Sequence, residues 1–243
     1  MDKTVLVTGG TRGIGKATAI LFAENGYHVV ASYLKNRDLA EDLKREIESK
    51  NGSVLCVQSD IRDPVQVEAL ADEAHEKYQS LDVVIGNAGI QVSALVSRTT
   101  DADWDAVMGT NLNGPFYLSR AALRCMGDRG GSIVHVASAS SFMGHAGASA
   151  YVASKHGLIG LVKVLALEGI KRGIRVNAVA PGVIDTDLVR DLTDEQKNML
   201  LKRVPMGRIA SAHEVAEMIY WVATQATYST GNVFHAGGGV VMG

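Results

Sequence analysis

Tyr151 and Lys155 stand four residues apart in an apolar helical stretch, which puts both side chains on one helix face. A free phenol, with a pKa of about 10, is a poor acid or base at neutral pH. A lysine ammonium nearby favours the phenolate and brings the phenol toward the working range. Ser138 precedes Tyr151 and follows the β-branched run Ile133–Ala137. A phenol and a cation so placed, with a hydroxyl at the sheet edge where such folds bind ligands, suit acid–base work on a bound ligand. By itself a Tyr-x-x-x-Lys pair is more often a surface pair, so the chemistry rests on what surrounds it.

What surrounds it begins at the other end of the chain. Thr8-Gly9-Gly10-Thr11-Arg12-Gly13-Ile14-Gly15 joins the run Thr4–Thr8 to the helical pattern Ile14–Asn25. A pyrophosphate bound at a helix start needs backbone N–H groups aimed at it and no side chains in the way. Gly9 suits the tight turn, Gly13 the approach of backbone to phosphate, and Gly15 close packing of the helix. The position, after a strand and opening a helix, points to a dinucleotide rather than an incidental glycine loop. The second strand ends in Ser32-Tyr33-Leu34-Lys35-Asn36-Arg37, with no acid before Asp38. NAD would call for a carboxylate there; cations suit a 2′-phosphate. Arg12, Tyr33 and Lys35 are therefore expected at the ribose end of NADP(H). The alternative is that Lys35 and Arg37 belong to an ordinary solvated helix start.

Seven strands are predicted, at Thr4–Thr8, Val29–Tyr33, Ser53–Gln58, Val83–Gly86, Ile133–Ala137, Arg175–Ala180 and Val233–Ala236. Helices are predicted between them at Ile14–Asn25, Asp38–Lys50, Pro64–Tyr78, Asp101–Met126, Tyr151–Lys171 and Ala212–Ala223. Asn25-Gly26 and Asn51-Gly52 are placed for left-handed caps, and Asp63 to cap the helix opened by Pro64. The unbroken alternation predicts one α/β domain over residues 1–243, a doubly wound, seven-stranded parallel sheet with helices on both faces.

The chain has 243 residues, of which 26 are Gly, 4 Pro and 2 Cys. That much glycine without matching proline is not linker sequence; it marks places where backbone bends or approaches something closely. Cys56 and Cys125 cannot make a disulfide framework or a cysteine zinc site, and a reducing cytoplasm is expected. The seven His show no metal-ligand spacing, so no metal is expected. A net charge of −2 without a basic block argues against nucleic acid. No run suggests a signal peptide or a membrane span.

With these residues assembled, the chain resembles the short-chain dehydrogenase/reductase family over essentially its whole length. The resemblance includes the Thr8–Gly15 turn, Asp60, Asn87-Ala88-Gly89, Asn111, Ser138, Tyr151, Lys155 and Pro181-Gly182 with Thr186. It implies a Rossmann-type domain in which Asp60 and Ile61 hold the adenine and Asn87, Ala88 and Gly89 line the cofactor. It further implies that Pro181, Gly182, Val183 and Thr186 meet the nicotinamide end, with Asn111 holding a water that connects Lys155 to solvent. Where the family usually carries Asn-Asn-Ala-Gly this chain has Gly86-Asn87-Ala88-Gly89, which is expected to loosen that turn but leave Asn87 in place.

Thr186-Asp187-Leu188, Val204-Pro205-Met206-Gly207-Arg208 and the ending Thr230–Gly239 look like the bacterial β-ketoacyl-(acyl-carrier-protein) reductases. That likeness implies a mobile lid around 186–208, with Met199, Leu200, Leu201 and Val204 available to an apolar chain. It also implies reduction of a ketone by NADPH, a homotetramer, and docking of acidic acyl carrier protein on Arg129, Lys171 and Arg172. The run Leu158–Leu167 is apolar nearly all round, so one face is expected to cover the sheet and another, with Gly157 and Gly160, to meet a second subunit. Ala236-Gly237-Gly238 departs from the usual Asp-Gly-Gly and leaves the tail without an assigned task. Reductases of sugars, steroids or small ketones, and a non-catalytic NADP(H)-binding sensor, remain the alternatives.

Overall fold

A computed structural model describes residues 3–185, 193, 195, 199 and 201–242. Its strands are β1 (Thr4–Val7), β2 (His28–Tyr33), β3 (Val54–Gln58), β4 (Val83–Gly86), β5 (Gly131–Val136), β6 (Ile174–Pro181) and β7 (Val233–Ala236). All pair in parallel in the order β3-β2-β1-β4-β5-β6-β7. Alternate strand residues feed two cores. Val5, Val7, Ile85 and Val134 pack under α1 (Gly13–Glu24), α2 (Arg37–Glu48) and α7 (Ala212–Thr224). Leu6, Val84 and Ile133 pack under α3 (Pro64–Tyr78), α5 (Gly114–Met126) and α6 (Ser149–Gly169). Both faces are thus covered, which is why the strands read as continuous apolar runs.

The helix ends show where sequence chemistry acted. Asp63 accepts from the N–H of Val65 at 2.9 Å and of Gln66 at 3.4 Å, as its position predicts. Gly26 takes φ +78° after α1. After α2 it is Asn51, at φ +63°, that turns left-handed, not Gly52. Gly52 is needed for space: a Cβ there would stand 2.6 Å from Ile47 Cγ2.

The helix predicted over Asp101–Met126 is interrupted. A wide π-turn, Gly109–Asn113, separates α4 (Asp101–Met108) from α5, and the Gly114 N–H reaches back to the Gly109 carbonyl. Helix α6 ends at Gly169, before a 3₁₀ turn over Ile170–Arg172 and Gly173 at φ +68°. By length and composition α6 is apolar enough to cross a membrane. Its inner face, with Leu158, Val162 and Leu165, packs into the core under the sheet, while Val164, Leu167 and Ile170 are exposed.

The glycine tail also acquires a task. A Cβ at Gly182 would lie 2.8 Å from the Gly237 carbonyl oxygen, so the chain after β6 and the chain after β7 touch backbone to backbone. Gly238 and Gly239, both at positive φ, pack against Val204 and Pro205, and the Gly238 carbonyl accepts from the Met206 N–H at 3.1 Å. The tail therefore fastens the segment Val204–Met206.

Candidate active site

Strand order reverses between β1 and β4, which opens a crevice at their carboxyl ends, where such sheets take ligands. The glycine turn lies there. Gly9 and Gly13 sit at φ +61° and +53°. A Cβ at Gly15 would stand 2.2 Å from the Gly9 carbonyl oxygen and 2.5 Å from Asn87 Nδ2, so the turn closes only on glycine. Gly10 is confined as well, though less tightly, 2.9 Å from Ala31 Cβ on the same test, a constraint the motif spacing did not reveal.

Asn87 braces this turn rather than facing outward. Its Nδ2 donates to the carbonyls of Thr8 (2.9 Å) and Gly9 (3.1 Å), and its N–H donates to Thr8 Oγ1 at 3.0 Å. Thr8 Oγ1 also accepts from the Ala88 N–H. At Gly86, where the family usually carries the first Asn, the imidazole of His135 fills the space a side chain would take.

The start of α1 is left open for an anion. Arg12 is the N-cap residue, extended, and its side chain makes no capping bond. Exposed backbone N–H groups, a positive helix end and a turn free of Cβ atoms fit a pyrophosphate. Arg12 and Lys35 have no ion-pair partner among the described residues, whereas Arg37 pairs with Glu41 at 3.7 Å. Tyr33 closes β2, half-buried, two residues before Lys35.

The other cofactor candidates divide. Asp60 is held by Arg62, whose guanidinium and N–H donate to both carboxylate oxygens and keep the acid below its ordinary range. Ile61 turns its side chain into the core against Gly114. Pro181 ends β6, and the carbonyl of Val183 accepts from Ala210 at 3.1 Å. Thr186 and most of the expected lid lie outside the described residues. Among the described residues no cluster of His, Cys, Asp or Glu could hold a metal ion.

Ser138, Tyr151 and Lys155 come together at the carboxyl end of β5. The Ser140 N–H donates to Ser138 Oγ at 3.1 Å, and Ser138 is close enough to act on the Tyr151 phenol. Burial pushes the Tyr151 phenol above its ordinary value, and Ser138 pulls it partly back. The lowering expected from Lys155 is not what governs the phenol here. The ammonium stands 5.9 Å from the ring centroid and gives its hydrogen bond to the Val136 carbonyl at 2.7 Å. Burial lowers Lys155 itself to about 8.

Asn111 sits in the π-turn, fully buried. Its Oδ1 accepts from the Ile90 N–H at 2.9 Å, while Nδ2 donates to the Ile90 carbonyl at 2.8 Å and to Ser154 Oγ at 3.2 Å. Ser154 in turn donates to the Tyr151 carbonyl. Asn111 thus ties the loop after β4 to the second turn of α6. Ser154 was not singled out from sequence, although it lies three residues from Tyr151 on the same face. A Cβ at Gly89 would fall 3.4 Å from Asn111 Oδ1 and 3.7 Å from Lys155 Nζ, so this glycine lies between them.

With that geometry in view, the likeness to known proteins is decisive. The short chain dehydrogenase family model matches residues 3–197. The chain belongs to the short chain dehydrogenase family. It is 38% identical over 244 residues to the 3-oxoacyl-[acyl-carrier-protein] reductase FabG of Staphylococcus aureus, covering 100% of this chain and 99% of the relative. The reductase of the same name from Thermotoga maritima is 39% identical, with 99% and 98% covered. Among solved structures, a dehydrogenase/reductase from Sinorhizobium meliloti superposes with TM-score 0.94 at 35% identity, covering 99% and 95% of the two chains. A blue fluorescent protein from a metagenomic library, solved with NADPH, gives 0.93 at 31%, covering 99% and 98%. As a short chain dehydrogenase the protein is an NAD(P)-dependent oxidoreductase acting on a CH–OH/C=O group.

The basic residues expected at the site mouth are elsewhere. Arg129 just precedes β5 and Lys171-Arg172 just precede β6, at the amino edge of the sheet, whereas Ser138 follows β5 at the carboxyl edge. Arg129 donates to the carbonyls of Gln79 and Cys125, and Arg172 pairs with Asp128 at 3.4 Å. Gly157, expected at a subunit face, instead packs within the chain, its Cβ position 3.1 Å from Leu112. Gly160 meets nothing within 4 Å.

Proposed function

We propose that this short chain dehydrogenase is a cytoplasmic reductase that uses NADPH to reduce the ketone of a 3-oxoacyl thioester to the 3-hydroxyacyl product. The observation that carries the substrate class is the identity of 38% to 3-oxoacyl-[acyl-carrier-protein] reductases along the whole chain. The unpaired Arg12 and Lys35 support the choice of NADPH, since each offers a free cation to a 2′-phosphate.

The nicotinamide cofactor supplies the hydride. Gly9, Thr11, Gly13, Ile14 and Gly15 would cradle its pyrophosphate on main-chain groups, with Asp60, Ile61, Ala88, Gly89, Pro181, Gly182, Val183 and Thr186 along its length. The Ser140 N–H fills one lone pair of Ser138 Oγ, and on substrate binding the Ser138 O–H would swing from the Tyr151 phenol to the carbonyl oxygen. Tyr151, kept neutral by burial, is in the protonated form a donor needs and gives that oxygen its proton. Lys155 stabilises the phenolate left behind. The Asn111 side chain is committed to Ile90 and Ser154, and its main-chain carbonyl is the group we assign to the water. Pro115, four residues on, has no N–H to give the Asn111 carbonyl.

A homotetramer would give the basic residues a role. The exposed Val164 and Leu167 of α6, continued by Ile170 of the following 3₁₀ turn, form the apolar stripe left to a second copy. Pairing about a two-fold axis perpendicular to α6 would run the two helices antiparallel. The proposal requires that this assembly bring one copy's Lys171 and Arg172 near the other copy's active-site mouth, where an acidic carrier protein would dock. The test is NADPH oxidation with acetoacetyl-coenzyme A and a 3-oxoacyl carrier-protein substrate, beside a panel of sugars, steroids and small ketones. Turnover of the thioesters well above the panel is expected. No oxidation with any ketone would leave a cofactor-binding sensor.

A further inference from the structure

We infer that His135 is a positioning residue for Lys155, and that Gly86 is glycine to make room for it. Gly86 and His135 are register partners in the parallel pair β4–β5. A Cβ at Gly86 would lie 2.1 Å from His135 Nδ1 and 2.8 Å from Cε1, so the ring occupies the place of any side chain there. The ring is fully buried between the sheet and α5.

Its hydrogen bonding fixes its tautomer. Ser119 Oγ donates to the Pro115 carbonyl at 2.7 Å, so its proton is committed. Nε2 of His135, 2.9 Å from the same oxygen, must therefore carry the ring proton and donate it. Nδ1 is left unprotonated, buried and without a partner among the described residues. This one bond ties the end of β5 to the second turn of α5, the helix that follows the π-turn carrying Asn111. The next residue, Val136, provides the carbonyl that holds Lys155 Nζ. The carbonyl for the cation and the amide network around Tyr151 are thereby held in one frame.

The ring must stay neutral to do this. Burial, reinforced by the Lys155 charge, lowers His135 to about 3. Of the groups packed on it, Gly86 of β4 and Pro115 and Ser119 of α5 are uncharged, and Lys155 of α6 is the charge that acts on it. This role rests on the proposed reaction only for its effect on rate.

Two readouts separate packing from positioning. His135→Phe keeps a ring over Gly86 but loses the bond to Ser119. The Lys155 ammonium, followed by NMR in lysine-labelled protein with Lys155→Met identifying its signal, titrates near pH 8 in the parent. In His135→Phe the midpoint is expected about half a pH unit lower, with kcat down roughly tenfold and KM within about twofold. Gly86→Ala is expected to lower Tm, and Gly86→Ala/His135→Ala to recover it while the lysine midpoint stays shifted. An unmoved midpoint in His135→Phe overturns the positioning role, and no recovery in the double variant overturns the pairing. Because the titration needs no substrate, a protein that reduces no ketone would refute the proposed function without touching this result.

Discussion

Lys155 donates from Nζ to the Val136 carbonyl at 2.7 Å, which fastens the cation of α6 to β5 two residues before Ser138. One hydrogen bond thus joins the helix that carries the proton donor to the strand that leads into the serine. The folded value of Lys155, about 8, lies below its ordinary 10.5. The charged form therefore costs stability at every pH below about 8, and the cost is relieved as pH rises from there toward 10.5. Denaturant unfolding of the parent and Lys155→Met at pH 7, 8, 9 and 10 should show the parent gaining on the variant, by up to roughly 3 kcal/mol at the limit. A constant difference across the series would contradict a buried, titrating ammonium.

Tyr151→Phe removes the proton donor and leaves the ring. Its kcat should fall about a thousandfold while the dissociation constant for NADPH stays within about twofold. A variant that kept most of its turnover would take the proton transfer away from Tyr151.

Gly15→Ala puts a methyl 2.2 Å from the Gly9 carbonyl. The turn must open, and a loss of at least about 2 kcal/mol is expected together with loss of dinucleotide binding. Calorimetry with and without NADPH reads both effects; unchanged binding would mean that the cradle is not at this turn.

Arg12→Glu and Lys35→Glu each replace an unpaired cation with a charge that repels a 2′-phosphate. The ratio of kcat/KM for NADPH over NADH should drop by roughly tenfold or more in each. An unaltered ratio in both would place the preference elsewhere.

Arg172→Glu breaks an exposed pair with Asp128 and should change stability by less than about 1 kcal/mol. Its kcat/KM should fall about tenfold for a carrier-protein substrate and hardly at all for a small ketone. Equal losses for the two would refute docking there. Light scattering showing a monomer that is fully active with the carrier would refute the two-subunit surface.

Much of this was legible in the chain. All seven strands were predicted within two residues at either end, because buried parallel strands advertise themselves as short β-branched runs between helical patterns. Gly9, Gly13 and Gly15, with Tyr151 and Lys155, were readable because turn geometry and helix periodicity are local properties. The break at Gly109–Asn113 was not, since it comes with the amide of Asn111 reaching Ile90, twenty-one residues back. Ser154 and His135 were missed for the same reason: their partners lie on other elements.

The sequence by itself determined the layers, the phosphate turn and the helix that carries Tyr151, each set by neighbours within a few residues. Only the tertiary structure decided which groups serve chemistry and which serve the frame. Asn87 braces the turn, Gly157 packs on Leu112, and Arg129 holds the end of α3, although each had been read as facing a ligand or partner. The cause is physical: backbone conformation follows from local sterics and hydrogen bonding. Burial, the direction of the Tyr151 and Lys155 shifts, and the fit of His135 over Gly86 depend on chains far apart in sequence meeting at one edge of the sheet.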